Sequence, residues 1–421
     1  MQINKDQTIG ILGFGKEGQA TLDYFQKHGY KNILIFDRNP DIKAGVKSLL
    51  GDDYLEHLSE ASVIFRSPGI PYLTPDIQQY EKQGGIVTSA TAFFLENQPA
   101  KVIGITGSNG KTTTATLIYE ILKKHWPHKV WLAGNVGNVL LEEIEQIGPN
   151  DLTVMELSSF QLQDLKTSPQ VAVVTNISPN HLDHHQSIEE YIDAKKNIVH
   201  FQAAGNLAVL NASDPIVKQF AAETKAEVKW FGDHTDENIQ SRLQSLKFKT
   251  HPQNIKIALI VGQHFDISQE RIWSVIEDFK GVPNRLEFVR ELNGVRYYND
   301  TSCTTPESTT TALEAFPEGS VIILLGGSDK GSDYQDMNKK VIQRKATAIT
   351  YGAMGEKIAA GLPPEQVIRM GSDFAAVIQK AKEIAKPGQN IILSPACASF
   401  DMFKNYIERG EIFTEIVRNL K

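Results

Sequence analysis

The chain reads as an α/β protein made of three consecutive segments, each built on a doubly wound, mostly parallel sheet. Three observations predict this. Short apolar runs ending in polar residues alternate with amphipathic stretches along all 421 residues, the pattern of parallel strands and crossover helices. Two strands lead into glycine-rich turns that open helices, at 13–18 and 104–110. Gly281 and Pro283 then punctuate the chain before a third run of such elements.

The first segment covers 1–95, with strands in "TIGILGF", "NILIFD" and "SVIFRSPGI". Gly13, Gly15 and Gly18 form G-x-G-x-x-G, and Asp37 ends the second strand. Taken alone, this is a dinucleotide fingerprint. The second segment covers 96–281, with strands in "KVIGIT", "TVMELSS", "VAVVTNIS" and "GNLAVLN". The third covers 282–421, with "VRYYND", "VIILLGG", "ATAITYG" and "NIILSPA" separated by helices such as "DFAAVIQKAKEIA". In parallel sheets ligands gather at the carboxyl ends of strands, so chemistry is expected there.

The most specific signal is "VIGITGSNGKTTTATLIYEIL", a strand, a glycine-rich loop and a helix. Its backbone N–H groups, from Gly107, Ser108, Asn109 and Gly110 onward, are expected to cradle phosphates at a helix N-terminus. Lys111 would reach the terminal phosphates, Thr112 would offer a hydroxyl to Mg²⁺, and Thr113 completes the loop. The spacing departs from the generic phosphate loop, which would place a glycine at Ile105. Glu156 ends a strand of the same segment and suits a magnesium ligand. "NHLDHH" clusters His181, Asp183, His184 and His185. No matching Cys/His pair follows, so a structural zinc site is not expected. His184 and His185 read as a solvated loop. Asp183 reads equally as a helix cap, a histidine-orienting group or a ligand. Lys195 and Lys196 lie side by side on the next helix, ordinarily a solvated face.

Composition narrows the classes. The formal charge is −7, which disfavours nucleic acid as the main partner. No apolar run approaches the ~20 residues that cross a bilayer. "MQINKDQT" lacks a signal-peptide core. Two cysteines, Cys303 and Cys397, suit packing roles in a reducing compartment. A cytoplasmic protein follows from these readings; a monomer is expected, though composition does not give the oligomeric state.

Several stretches then fall in one order: the phosphate loop, "MELSSFQL", "TNISPNHLDHH", "YIDAKKNI", "VPNRLEF", "NDTSCTTPEST", "LLGGSDKGSDY" and "LSPACASFDMFKNYIERG". This order resembles the Mur ligases, and the likeness spans nearly the whole chain. The resemblance implies a Rossmann-like domain for a UDP-linked substrate, a central ATPase domain and a Rossmann-like domain contributing to ATP and glutamate binding. It implies ATP, Mg²⁺, UDP-N-acetylmuramoyl-L-alanine and D-glutamate, joined through an acyl phosphate. It implies Lys111, Glu156, His181 and Lys195 as the catalytic set. Thr112, Glu156 and His181 would hold metal, with Lys195 as a carbamate; Lys196 is the competing choice for that carbamate. ATP would meet 107–113, Asn254, Arg285 and Asp300. The UDP-linked substrate would meet Gly13, Phe14, Gly15, Lys16, Asp37, Arg38, Gly69, Asn135 and His181. Glutamate would meet Thr304, Lys330, Ser399, Phe400 and Tyr406, with Ser399 also able to serve as a helix N-cap.

Departures from the family pattern are informative. Ser302 stands where the family has lysine, Asn180 replaces an aspartate, and Lys16 and Glu17 replace smaller or apolar residues. Gln253 and Ile257 stand beside Asn254 where the family has histidine and asparagine. Alternatives within the resemblance are a ligase for another amino acid, such as L-glutamate, and a folylpolyglutamate-type ligase. The latter would begin with its phosphate-loop domain, and here a whole α/β segment precedes that loop.

Overall fold

A computed structural model describes residues 1–135, 140–178, 185–232, 239, 241, 242, 246, 250–329 and 331–421. These form two compact units, 1–235 with 252–276, and 236–251 with 277–421. The sheets are as expected, and the α/β class holds.

The first unit contains two sheets. One has β1 (Ile9–Leu12), β2 (Ile33–Asp37), β3 (Ser48–Leu50), β4 (Val63–Arg66) and β5 (Ile86–Thr88), in the order β3-β2-β1-β4-β5, all parallel. The order reverses at β1, so a crevice opens at the carboxyl ends of β1 and β4. The other has β6 (Lys101–Thr106), β7 (Val130–Gly134), β8 (Leu152–Glu156), β9 (Val171–Val174), β10 (Leu207–Asn211) and β11 (Glu227–Phe231). Its order is β11-β10-β9-β6-β8-β7, again all parallel. β6 is therefore central, with β8 and β9 on its two sides. Most of these strands are buried along their length, which is why they read as apolar runs rather than alternations.

A single apolar cluster joins the two sheets. It runs from Ile9, Phe25 and Phe65 through Phe93 and Phe94 to Trp131, Leu157 and Leu162. Phe93 meets Phe25 and Phe65 edge-on at 5.7 and 5.6 Å, geometry that adds to simple burial. The helix Ala90–Asn97 that carries Phe93 starts cleanly because Ser89 caps it.

The second unit holds β12 (Glu287–Leu292), β13 (Val295–Asn299), β14 (Val321–Gly326), β15 (Thr347–Tyr351), β16 (Val367–Arg369) and β17 (Asn390–Leu393). Their order is β12-β13-β17-β14-β15-β16. Only β12 runs antiparallel, paired to β13. Asn293 and Gly294, at φ 52° and 76°, make the turn, and Asn-Gly is the pair such a hairpin favours. Apolar clusters around Leu325 and Leu324 cover the two faces of the sheet. No helix among the described residues is long and apolar enough to cross a membrane.

Candidate functional site

The first glycine loop follows β1. Gly18 begins the packing of its helix, Lys16–Lys27, onto the loop; a Cβ there would collide with the Gly13 carbonyl. Asp37, at the end of β2, accepts Phe14 N–H at 2.6 Å and Asn39 N–H at 2.8 Å. Ser67 donates to the Gly13 carbonyl at 2.6 Å, which braces the loop from the end of β4. Gly15, Lys16 and Gly69 are exposed around this crevice. Arg38 is exposed and pairs with Asp52 at 3.0 Å.

The phosphate loop follows β6 and enters the helix Lys111–His125. Gly107 has φ 146°, and a Cβ there would collide with Thr175 Oγ1, so only glycine fits. The segment after β9 holds the loop in shape. Thr175 donates to the Asn109 carbonyl at 2.6 Å, and Asn109 N–H donates to Asn176 Oδ1 at 3.0 Å. Ser108 N–H donates to the Asn176 carbonyl at 2.7 Å, and the Ser108 and Tyr191 hydroxyls meet at 2.8 Å. Thr112 is buried in the first helical turn. Asn254 is also buried, and its Oδ1 accepts from Thr114 at 3.1 Å beside Gly110. It therefore sits against the phosphate loop and its helix.

Glu156 lies across from Ile105 in the β6–β8 register. It is buried, and its Oε2 has no hydrogen-bond partner among the described residues. Such an atom is costly unless something beyond the described residues satisfies it. Asn135 N–H donates to the Glu156 carbonyl at 3.0 Å, which brings Asn135 to the same strand end. Lys111 Nζ folds back onto the Gly107 and Ser108 carbonyls, both at 2.9 Å.

Lys195 and Lys196 differ sharply. Lys195 is buried, donates to Thr106 Oγ1 at 3.2 Å and Gly107 O at 3.0 Å, and lies 4.8 Å from the Tyr191 ring centre. Burial holds its ammonium well below the usual lysine range; nearby Lys111 pushes the same way and Glu156 opposes. Lys196 pairs with Asp193 at 3.0 Å on the partly exposed side. The hydroxyl of Thr112 and the orphaned carboxylate oxygen of Glu156 are hard donors that fit a magnesium ion. His181 lies outside the described residues, as do Asn180, Asp183 and His184. Among the described residues no three His, Cys, Asp or Glu side chains converge as a metal site.

In the second unit, Arg285 is exposed between Asn284 and Leu286, at φ 63° and 43°. Its turn is braced by Asp300, whose Oδ1 accepts Leu286 N–H at 3.0 Å and whose Oδ2 accepts Ser394 Oγ–H at 2.7 Å. Burial pushes the Asp300 carboxyl up to about 6, against the pull of Cys303, Ser394, the Leu286 N–H and Arg285. Thr304 is half-buried, Ser399 is buried, and Phe400 and Tyr406 are exposed. Lys330 lies outside the described residues. Asn405, not Ser399, caps the helix Tyr406–Asn419. Ser302 Oγ is buried without a partner among the described residues. Burial raises the thiols of Cys303 and Cys397, in keeping with packing roles.

Three features were not anticipated. His185 is buried rather than in a solvated loop. Its ring stacks on Phe160 at 5.0 Å, and its Nε2 lies 2.9 Å from Ser159 Oγ; the apolar ring of Phe160, distant in sequence, draws it inward. Arg66 and Asp164 form a buried pair at 3.2 Å. Arg409 is buried and donates to Thr301 Oγ1 and to the Thr301, Cys397 and Ala398 carbonyls at 2.9–3.3 Å. It ties the segment before Thr304 to the segment before Ser399.

Comparison with known proteins adds a family. Models described as Mur ligase MurD-like N-terminal domain, Mur ligase middle domain, and Mur ligase glutamate ligase domain match residues 7–89, 105–270 and 284–397. The UDP-N-acetylmuramoylalanine--D-glutamate ligase of Acetivibrio thermocellus is 36% identical over 99% of this chain and 97% of its own. The enzyme of the same name from Clostridium kluyveri is 35% identical over 100% and 98%. In fold, the chain resembles MurF ligase from Thermotoga maritima, in complex with ADP, at TM-score 0.60 and 18% identity, covering 99% of this chain and 97% of that one. It also resembles the Thermotoga maritima UDP-N-acetylmuramate-alanine ligase, at TM-score 0.58 and 14% identity, over 99% and 100%.

Proposed function

The chain belongs to the Mur ligase family, and from that premise we propose that it joins D-glutamate to UDP-N-acetylmuramoyl-L-alanine using ATP, in peptidoglycan precursor synthesis. The relatives that match end to end carry the corresponding name. Within the structure, the observation that carries the reading is Glu156 Oε2, buried beside the phosphate loop with no partner among the described residues.

The chemistry follows from the groups present. A carboxylate is a poor electrophile, so phosphorylation must supply a leaving group. That step brings two anions together, and their repulsion must be offset. The N–H groups of 107–113 and the Lys111 ammonium would hold the ATP phosphates. Thr112, Glu156, His181 and carbamylated Lys195 would hold Mg²⁺, which when bound would supply further positive charge to offset that repulsion. For Lys195, burial favours the neutral amine. That amine attacks the carbon of CO₂, a C–N bond forms, and one proton leaves, giving an anionic carbamate. Glutamate's amine then attacks the acyl phosphate, and the tetrahedral adduct expels phosphate.

Roles by segment complete the proposal. Residues 1–95 take the UDP end of the substrate, with the loop at Gly13–Gly15 toward its diphosphate. Residues 96–281 take ATP, with Asn135 toward the muramoyl-alanine part and Asn254 on the nucleotide side. Residues 282–421 contribute Arg285 and Asp300 toward ATP and Thr304, Lys330, Ser399, Phe400 and Tyr406 toward glutamate. The protein acts as a cytoplasmic monomer; its two free cysteines suit a reducing compartment. Oxygen-18 in the substrate's alanyl carboxylate tests the activation step. Transfer of one label to inorganic phosphate, with ADP as the other product, is the expected result. Release of AMP and labelled AMP or pyrophosphate instead would overturn it.

A further inference from the structure

Glu17 is the residue of the first loop that the proposed reaction leaves without a task. It lies in the first turn of the helix Lys16–Lys27, directly after Gly13–Gly15. An ionised glutamate at that spot normally faces water and gains from the helix N-terminus. Here the side chain turns inward. Its Oε1 takes the Gln161 amide at 3.4 Å, and its Oε2 is buried with no partner among the described residues.

Gln161 is itself fixed. Its Oε1 accepts both the N–H and the hydroxyl of Ser158 at 3.1 Å, and Ser158 Oγ accepts its N–H, closing a capping box. Ser158 stands two residues past Glu156. Glu17, Gln161 and Ser158 therefore form a polar link from the first glycine loop to the strand end carrying Glu156.

Among the described residues the charges around Glu17 are few. Arg66 reaches in from the end of β4, and Asp164 from the segment after the helix Ser159–Leu162. Lys16, its neighbour in sequence, is exposed. Arg66 is already committed: it pairs with Asp164 at 3.2 Å and donates to the Ile70 and Phe160 carbonyls at 2.7 and 2.9 Å. Asp164 also takes the Ser89 hydroxyl at 3.2 Å. One guanidinium thus matches one carboxylate. An ionised Glu17 would add an unmatched buried anion.

We propose that Glu17 is a positioning residue for the UDP-linked substrate: as a neutral acid it ties the first loop to the Ser158–Gln161 turn, so that substrate and a proton on Glu17 bind together. This rests on the assignment of that loop to the UDP diphosphate. The reasoning is electrostatic. The loop that would receive a diphosphate carries a carboxyl in its next turn. Ionised, that carboxyl repels the ligand and leaves Oε2 a charged atom with no partner among the described residues; protonated, it does neither, and the Gln161 amide still has Oε1 to donate to. Burial already raises the Glu17 carboxyl above the ordinary range, against the pull of Gln161 and Arg66 and with Asp164 adding to the rise. The sign follows: affinity is highest where Glu17 is protonated and falls as pH rises through its ionisation.

The test is calorimetric binding of UDP-N-acetylmuramoyl-L-alanine to the full-length protein over a pH series rising from the ordinary glutamate value of 4.5, in buffers of different ionisation heat. Wild type should take up part of a proton on binding and lose up to about tenfold in affinity per pH unit past the ionisation. Glu17→Gln keeps the acceptor for Gln161 and cannot ionise, so it should show neither effect. Gln161→Leu should raise KM for the UDP-linked substrate and leave KM for ATP unchanged. Equal proton uptake and equal pH slopes in wild type and Glu17→Gln would overturn the role of Glu17. Absence of any binding by a folded wild-type protein would overturn the assignment of the loop itself.

Discussion

Lys195 and Lys196 are adjacent on one helix, and their surroundings separate them. Lys195 is enclosed by Thr106, Gly107 and the Tyr191 ring, whereas Lys196 meets Asp193 near the surface. Lys195→Ala should lose activity by roughly a hundredfold and recover part of it when acetate or formate is added to steady-state assays. Lys196→Ala should stay near wild type; the reverse pattern would move the carbamate to Lys196. Asp300 gives a second outcome at this scale. Its carboxyl ordinarily titrates at 3.8 and sits at about 6 when folded, a cost of roughly 3 kcal/mol once ionised. The stability it preserves is complete below the unfolded value and is lost as pH rises through about 6. Urea melts should therefore weaken over that window in wild type and much less in Asp300→Asn. Neither environment was legible in the sequence. "AKKN" gives two equal lysines, and the burial of one depends on Thr106, Gly107 and Tyr191, the first two about ninety residues upstream. His185 was misread for the same reason: its stacking partner Phe160 belongs to another element.

Elements were far more legible than environments. The phosphate loop declares itself because its strand, glycines, lysine and helix are contiguous, and the backbone geometry it needs is local. Glu156 could be placed at a strand end by pattern, and the β6–β8 register sets it beside that loop. The hairpin of β12 and β13 carried its signal in Asn293-Gly294, yet "EFVREL" reads equally as part of a linker. The ties between elements could not be read. Arg66 to Asp164, Asn254 to Thr114, and Arg409 to Thr301 join residues about 100, 140 and 108 positions apart, and a single sequence holds no record of such pairs. Gly107→Ala tests the loop directly. The added Cβ would collide with Thr175 Oγ1 and sit at φ 146°, so a loss of about 1–3 kcal/mol is expected, with a matching loss of ATP affinity. Gly371→Ala, where a Cβ meets open space, should change stability by no more than about 0.5 kcal/mol. Equal effects in thermal melts would contradict the reading of the loop.

The whole molecule divides into two compact units whose cores are built differently. In the first, two parallel sheets share one apolar cluster; in the second, one mixed sheet is covered on both faces. Calorimetry should therefore resolve two transitions. ADP with Mg²⁺ at about a hundred times its Kd should raise the one containing the phosphate loop by about 2.7 kcal/mol. Amide exchange assigns the transitions, and a single transition with uniform protection would contradict the division. The account's central claim, that this family member extends UDP-N-acetylmuramoyl-L-alanine with D-glutamate, is tested most directly by its products. ADP release is measured with that substrate, Mg²⁺, ATP and a panel of D- and L-amino acids, and the product is weighed by mass spectrometry. The account predicts one ADP and one new amide per turnover with D-glutamate. Turnover with L-glutamate and none with D-glutamate would contradict it.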